Sequence, residues 1–252
     1  LTDILILNDF VSRGKIAGNM LSSVLAYKDF NTYFIPTALI SNNFDYGQVA
    51  KLDTFTYIKE SLDVYKDLGF TFDMVFIGYV EDKKTTELII DYINNLPYRP
   101  EIILDPIMGD NGKLYKGVDE EKIGNYKALL DIADITTPNF TEANFLGLTD
   151  YEKLISDDKK YVITSVNDDE KYYILGIDKE LTKVDFEKID VRLAGTGDLF
   201  DALFLSNYIE THDFKSSVEN AATSIDRIIR KHINERPCDA DIYIESYFDL
   251  LD

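Results

Sequence analysis

Short apolar runs alternate with longer amphipathic stretches along most of this chain, and that alternation limits what it can fold into. Residues 4–7, 33–35, 74–77, 102–104, 134–136 and 161–164 have the length and composition of buried strands. Between them, residues 18–27, 53–68, the stretch through Leu88, Ile89, Tyr92 and Ile93, and residues 121–132 carry helical spacing. Gly69 is placed to stop the second of these helices. Strand–helix alternation at this spacing predicts right-handed crossovers and a mainly parallel sheet with helices on both faces. Residues 172–177 and 184–189 break the pattern: two β-like runs around a charged turn predict a small antiparallel edge. Helices are then expected over 196–208, 215–233 and 240–250. With no repeat or linker, the 252 residues read as one α/β domain, 1–252.

Charge and cysteine count narrow the partners. With 26 basic and 46 acidic residues the formal charge is −20, which argues against nucleic acid or an anionic membrane as partner. It does not argue against a nucleotide, since backbone amides and a cation can supply local positive potential. No apolar run approaches the ~18 residues of a membrane span. Residues 1–7 are too short and too acidic for a signal peptide. The single cysteine, Cys238, reads as a passive tail residue and fits a reducing cytoplasm.

In open α/β sheets ligands sit beyond the carboxyl ends of the strands, and the polar and glycine-rich segments here fall at such ends. Gly195-Thr196-Gly197-Asp198 runs into an apolar helix. Two glycines allow close backbone approach, and the unpaired amides of a helix start favour an anion. Asp198 could there accept the proton of an acceptor hydroxyl. By spacing alone, an ordinary helix start with an acid in its first turn explains the string better. Asp105 and Asp110 flank a glycine-bearing turn and would suit a hydrated Mg²⁺, or equally form a plain turn. Thr137-Pro138-Asn139 with Glu142 reads as a helix start in which Asn139 and Glu142 form a capping box, a role compatible with holding metal-bound water. Ser12, Arg13 and Lys15 after the first strand, with Ser41 after the second, could grip a small polar ring; the two basic side chains could equally be solvated. His212 and His232 read as surface residues, and no P-loop motif occurs.

In their shared order these blocks resemble the ribokinase-like superfamily, and within it the pyridoxal kinases. The blocks are Phe10-Val11-Ser12-Arg13-Gly14 with Gly18-Asn19, Ser41-Asn42 with Tyr46-Gly47, Gly78-Tyr79, Asp105-Pro106 with Met108-Gly109-Asp110 and Leu114-Tyr115, Thr137-Pro138-Asn139 with Glu142-Ala143, Thr164-Ser165, and Gly195 to Phe200. The resemblance implies the three-layer ribokinase-like fold and ATP-dependent phosphorylation of the 5′-hydroxymethyl group of a B6 vitamer. It implies Asp198 as catalytic base and Gly195, Thr196 and Gly197 as an anion hole for the γ-phosphate. Asp105, Asp110, Asn139 and Glu142 would lie near ATP phosphates and Mg²⁺, with Asp105, Asp110 and Glu142 toward the metal. Tyr115, Thr137, Thr164 and Ser165 would contact nucleotide or phosphate, and Asp9, Ser12, Ser41 and Tyr79 the pyridine ring. K⁺ as a further cation and a homodimer are implied as well. The chain departs from the family pattern at Asp9, Asn43, Phe44 and Asp201, and in short links over 147–160 and 163–195. Those departures motivate two alternatives: a kinase for hydroxymethylpyrimidine or another ring alcohol, and a ligand-binding homologue with little turnover.

Overall fold

The computed structural model describes residues 2–43, 46–168 and 171–251. In chain order the elements are β1 (Asp3–Val11), α1 (Gly18–Tyr27), β2 (Asn31–Ile40), β3 (Lys51–Asp53), α2 (Phe55–Asp67), β4 (Met74–Ile77), α3 (Lys83–Asn94) and β5 (Glu101–Leu104). They continue with β6 (Gly109–Asp110), β7 (Lys113–Leu114), α4 (Glu120–Ile132), β8 (Ile135–Thr136), α5 (Phe140–Leu146), α6 (Tyr151–Ile155), β9 (Lys160–Asp168), β10 (Lys171–Asp178), β11 (Glu180–Phe186), α7 (Thr196–Thr211) and α8 (Phe214–Glu235). The chain then ends in a 3₁₀ segment, Ile244–Leu250.

One nine-stranded sheet runs in the order β11-β10-β9-β8-β5-β4-β1-β2-β3. Its strands from β2 to β9 pair in parallel. Antiparallel strands close both edges: β10 and β11 on one side as the sequence predicts, and β3 on the other. Strand periodicity divides the core in two. Ile4 and Ile6 face α1, α7 and α8, while Leu5 and Leu7 face the layer of α2 to α6. Every one of those four side chains is buried, which is why this strand shows no polar alternation in sequence.

Several expectations are corrected. Residues 240–243 are not helical, and the tail turns only as the 3₁₀ segment. The last strand is Glu180–Phe186 rather than 184–189, because Asp178 and Lys179 already make the turn, with Lys179 at φ +59°. His232 is not a surface residue. It is fully buried, with Nδ1 3.0 Å from the Tyr247 hydroxyl and Nε2 3.0 Å from the Asp239 carbonyl, so the polar faces of α8 conceal a satisfied core histidine. The short 147–160 link still holds the one-turn helix α6. Among the described residues, no helix is long and apolar enough to cross a membrane.

Candidate active site

Strand order reverses at β1, which has β2 on one side and β4 on the other. A ligand crevice is expected at that switch point, and Asp9, Asp105, Asp198 and Asp201 come within electrostatic reach of one another. A register shift between Asn8 and Phe10 sets Asp9 against the bulging β2. The Asn8 Oδ1 accepts the backbone N–H of Asp9 at 2.9 Å and of Tyr79 at 2.8 Å, tying the ends of β1 and β4 together. Gly78 permits this: a Cβ there would lie 2.4 Å from that oxygen. Tyr79 is clamped. Its hydroxyl donates to Glu81 Oε2 at 2.7 Å, and Lys51 Nζ donates to it at 3.0 Å while ion-pairing with Glu81. Lys122 Nζ lies 4.1 Å from the ring centroid and donates to the Val80 and Glu81 carbonyls. Lys51 and Lys122 carried no local signal in the sequence, because each reaches the site from a different element.

Asp198 sits in the first turn of α7. Gly195 caps that helix at φ +78° and offers no side-chain acceptor, so no side-chain cap hydrogen bond closes the helix start. Asp198 keeps part of its surface open to solvent and is enclosed by protein on its other sides. Burial raises its pKa, and the backbone N–H groups of Ala17 and of Asp198 itself partly offset this.

Asp105 directly follows β5, buried, with its backbone N–H on the Ile77 carbonyl at 2.9 Å. Its carboxyl meets that of Asp201, one turn beyond Asp198 on α7. Asp201 is thus part of the site floor, a role the sequence showed only as a departure from the family pattern. Thr137 is buried beside Asp201, yet its Oγ1 makes no hydrogen bond of good geometry.

The predicted capping box is present. Asn139 Oδ1 accepts the N–H groups of Thr141 and Glu142, and Glu142 Oε2 accepts that of Asn139 at 2.9 Å. The other oxygen, Oε1, accepts Met108 and Gly109 at 2.9 and 3.3 Å. Glu142 therefore anchors the flap formed by β6 and β7. Asn111 and Gly112 turn that flap at φ +51° and +76°, as an Asn-Gly hairpin should. Asp110 lies exposed on it, bonded to Asn111. The exposed Tyr115 follows the flap, close enough for its phenol to feel Glu142, Asp110, Asp105 and Asp198.

Thr164 bridges to Asn139 at the end of the parallel part of β9. Ser165 bulges there at φ +56°, where the pairing with β10 shifts register. Ser12 is exposed at the end of β2's neighbour, its N–H on the Ile40 carbonyl at 2.8 Å. The Ser41 hydroxyl is occupied: it accepts Ala50 N at 2.9 Å and donates to Asn42 at 2.6 Å, so it closes its own loop. Phe44 lies outside the described residues. Arg13 and Lys15 are not simply solvated, since they ion-pair with Asp241 and Glu245.

The site is electrostatically unbalanced. Burial, then the Asp198 charge, pushes both Asp9 and Asp105 up to about 7. Burial and Asp105 hold Asp201 and Glu142 well above the ordinary range. Among the described residues, no Lys or Arg forms an ion pair with Asp9, Asp105, Asp198 or Asp201. Nor are three His, Cys, Asp or Glu side chains gathered into a metal cage. Hard oxygen donors short of cationic partners fit Mg²⁺, an ion that keeps several of its waters and needs few protein ligands. Asp105, which shares a hydrogen bond with Asp201, and Asp110, whose oxygens accept only from Asn111 on the exposed flap, are the carboxylates that could hold it, whereas both oxygens of Glu142 are taken up by backbone amides that anchor the flap.

The sequence profile of the phosphomethylpyrimidine kinase family matches residues 24–238. Human pyridoxal kinase is 24% identical over 91% of this chain and 85% of its own length. The structure of pyridoxal kinase from Lactobacillus plantarum superposes with a TM-score of 0.91 at 21% identity, covering 100% of this chain and 96% of that one. Pyridoxal kinase from Leishmania donovani in complex with ADP and pyridoxamine superposes with a TM-score of 0.82 at 22% identity, covering 100% and 96%.

Proposed function

The chain belongs to the phosphomethylpyrimidine kinase family, and from that premise we propose that it transfers the γ-phosphoryl group of ATP to the 5′-hydroxymethyl group of pyridoxal or a close B6 vitamer. One observation supports this above the others: Asp198 stands in the uncapped first turn of α7, partly open to solvent and within electrostatic reach of both Asp9 and Asp105. On this reading the vitamer lies beside Asp9 and Tyr79, and the ATP phosphates beside Asp105, Thr137 and the flap.

Asp198 accepts the alcohol proton as the oxygen forms its bond to the γ-phosphorus, and the bond to the β,γ-bridging oxygen breaks. The amides of Thr196 and Gly197 face the charge that accumulates on the transferring group. Thr137 Oγ1, beside Asp201 and without a hydrogen bond of good geometry, would be a donor for a phosphate oxygen. Mg²⁺ bound with ATP would neutralise phosphate charge, with Asp105 and Asp110 as its protein partners. K⁺, a homodimer and a cytoplasmic setting belong to the same family reading.

A coupled assay with pyridoxal, pyridoxine, pyridoxamine and hydroxymethylpyrimidine, with and without Mg²⁺ and K⁺, tests the proposal. A kcat/KM higher for hydroxymethylpyrimidine than for every vitamer would replace the substrate. Vitamer binding by calorimetry without turnover would leave only a binding protein.

A further inference from the structure

The tail over 239–251 crosses the face of the sheet that carries α1 and α8, with Ile242, Ile244 and Tyr247 fully buried. Before it enters that core it touches two loops of the active site. The Ala240 carbonyl accepts the N–H of Ala194 at 2.9 Å, and Asp241 makes a single parallel bridge with Ala194. Ala194 is the residue directly before the helix-capping Gly195.

Asp241 also supports the loop after β1. It is 7% exposed, its Oδ2 lies 3.8 Å from Arg13 Nη2, and a Cβ on Gly14 would lie 3.3 Å from its Oδ1. The same loop presses on the anion-hole turn from the other side: a Cβ on Gly195 would lie 2.7 Å from Ile16 Cγ2 and 3.1 Å from the Lys15 carbonyl. Lys15 Nζ reaches Glu245 Oε1 at 2.6 Å. The loop ends in Ala17 at φ +54°, a conformation a non-glycine residue keeps only when its surroundings hold it.

We infer that Asp241 is a positioning residue: it locks the 12–17 loop against the 194–197 turn, so that the Ala17 turn and the first amides of α7 keep a fixed relation to Asp198. It touches no substrate. A carboxyl set against Gly14 and Arg13, with the main chain at 240–241 bridging to Ala194, is poorly explained as a solubility device when it is almost wholly buried. The catalytic consequence rests on the kinase reading, whereas the structural lock does not.

The test uses the full chain with Asp241→Ala and, separately, Arg13→Ala, an exposed position that should fold. Hydrogen exchange by mass spectrometry is followed over 12–18 and 193–199, beside steady-state kinetics with Mg·ATP and pyridoxal. The expected result is faster exchange in both segments together, with other segments unchanged. In kinetics, kcat should fall about tenfold with the vitamer KM within about twofold, the pattern of misplaced rather than missing groups. Should Asp241→Ala melt globally, the exchange pattern of Arg13→Ala decides. Unchanged exchange in both segments, or a change in only one of them, overturns the lock. A protein that turns over no vitamer removes the kinase reading, and the exchange result still stands for or against the lock.

Discussion

Asp105 and Asp201 meet carboxyl to carboxyl on the buried floor of the crevice, one from the end of a parallel strand and the other from the second turn of α7. Two such groups so close cannot both ionise without cost, so the folded chain holds protons that the unfolded chain releases.

The first prediction follows from that pair. Asp105 is raised to about 7 and Asp201 well above its ordinary value. Between about pH 4 and 7 the native state binds more protons than the unfolded state, and stability falls as pH rises through that window. Asp201→Asn relieves the pair. Its melting temperature should exceed that of the unmodified chain by about 2–8 °C at pH 8, with the gap closing near pH 4. Calorimetry across that range checks it, and a gap independent of pH would refute the shared-proton account.

Removing the base should leave binding largely intact. Asp198→Asn keeps the shape of the side chain and loses its ability to take a proton. kcat for pyridoxal should drop by about 10²–10⁴, with little change in either KM. Turnover equal to that of the unmodified chain would unseat Asp198 as base.

Lys122 is a buried lysine, its pKa lowered to about 8 by burial, and it holds Tyr79 from below. Lys122→Met keeps most of the volume and loses the ring contact and two carbonyl partners. The loss of about 1–2 kcal/mol should appear as roughly a tenfold rise in the vitamer KM. The ATP KM should stay constant; equal changes in both would point to general loosening instead.

The flap has its own glycine requirement. A Cβ on Gly109 would lie 2.4 Å from the Lys113 carbonyl across the hairpin. Gly109→Ala should cost about 1–3 kcal/mol locally and raise the ATP KM more than the vitamer KM. Isothermal titration with ADP gives the independent readout.

Much of this was readable in the sequence where local chemistry decides structure. The spacing of Met20, Val24 and Leu25 gave α1 its bounds, and Met74–Ile77 stood out as an unbroken apolar strand. β1 was read too short because Asn8 and Asp9 continue it, buried, through partners on other strands. The exposed Lys51–Asp53 edge strand has no apolar face to reveal it. Within the site, Asp198 and the Asn139–Glu142 box carried local signatures. Asp201, Lys51 and Lys122 did not, because their meaning depends on tertiary neighbours, and the same holds for His232.

A site lined by carboxyl groups without cationic partners, in a chain of formal charge −20, repels the very anion it is built to receive until a cation accompanies it. Encounter with the nucleotide is then slowed by the long-range field, and added salt shortens the reach of that field to about 10 Å at 0.1 M. Capture should accordingly quicken as ionic strength rises, the reverse of electrostatically steered association.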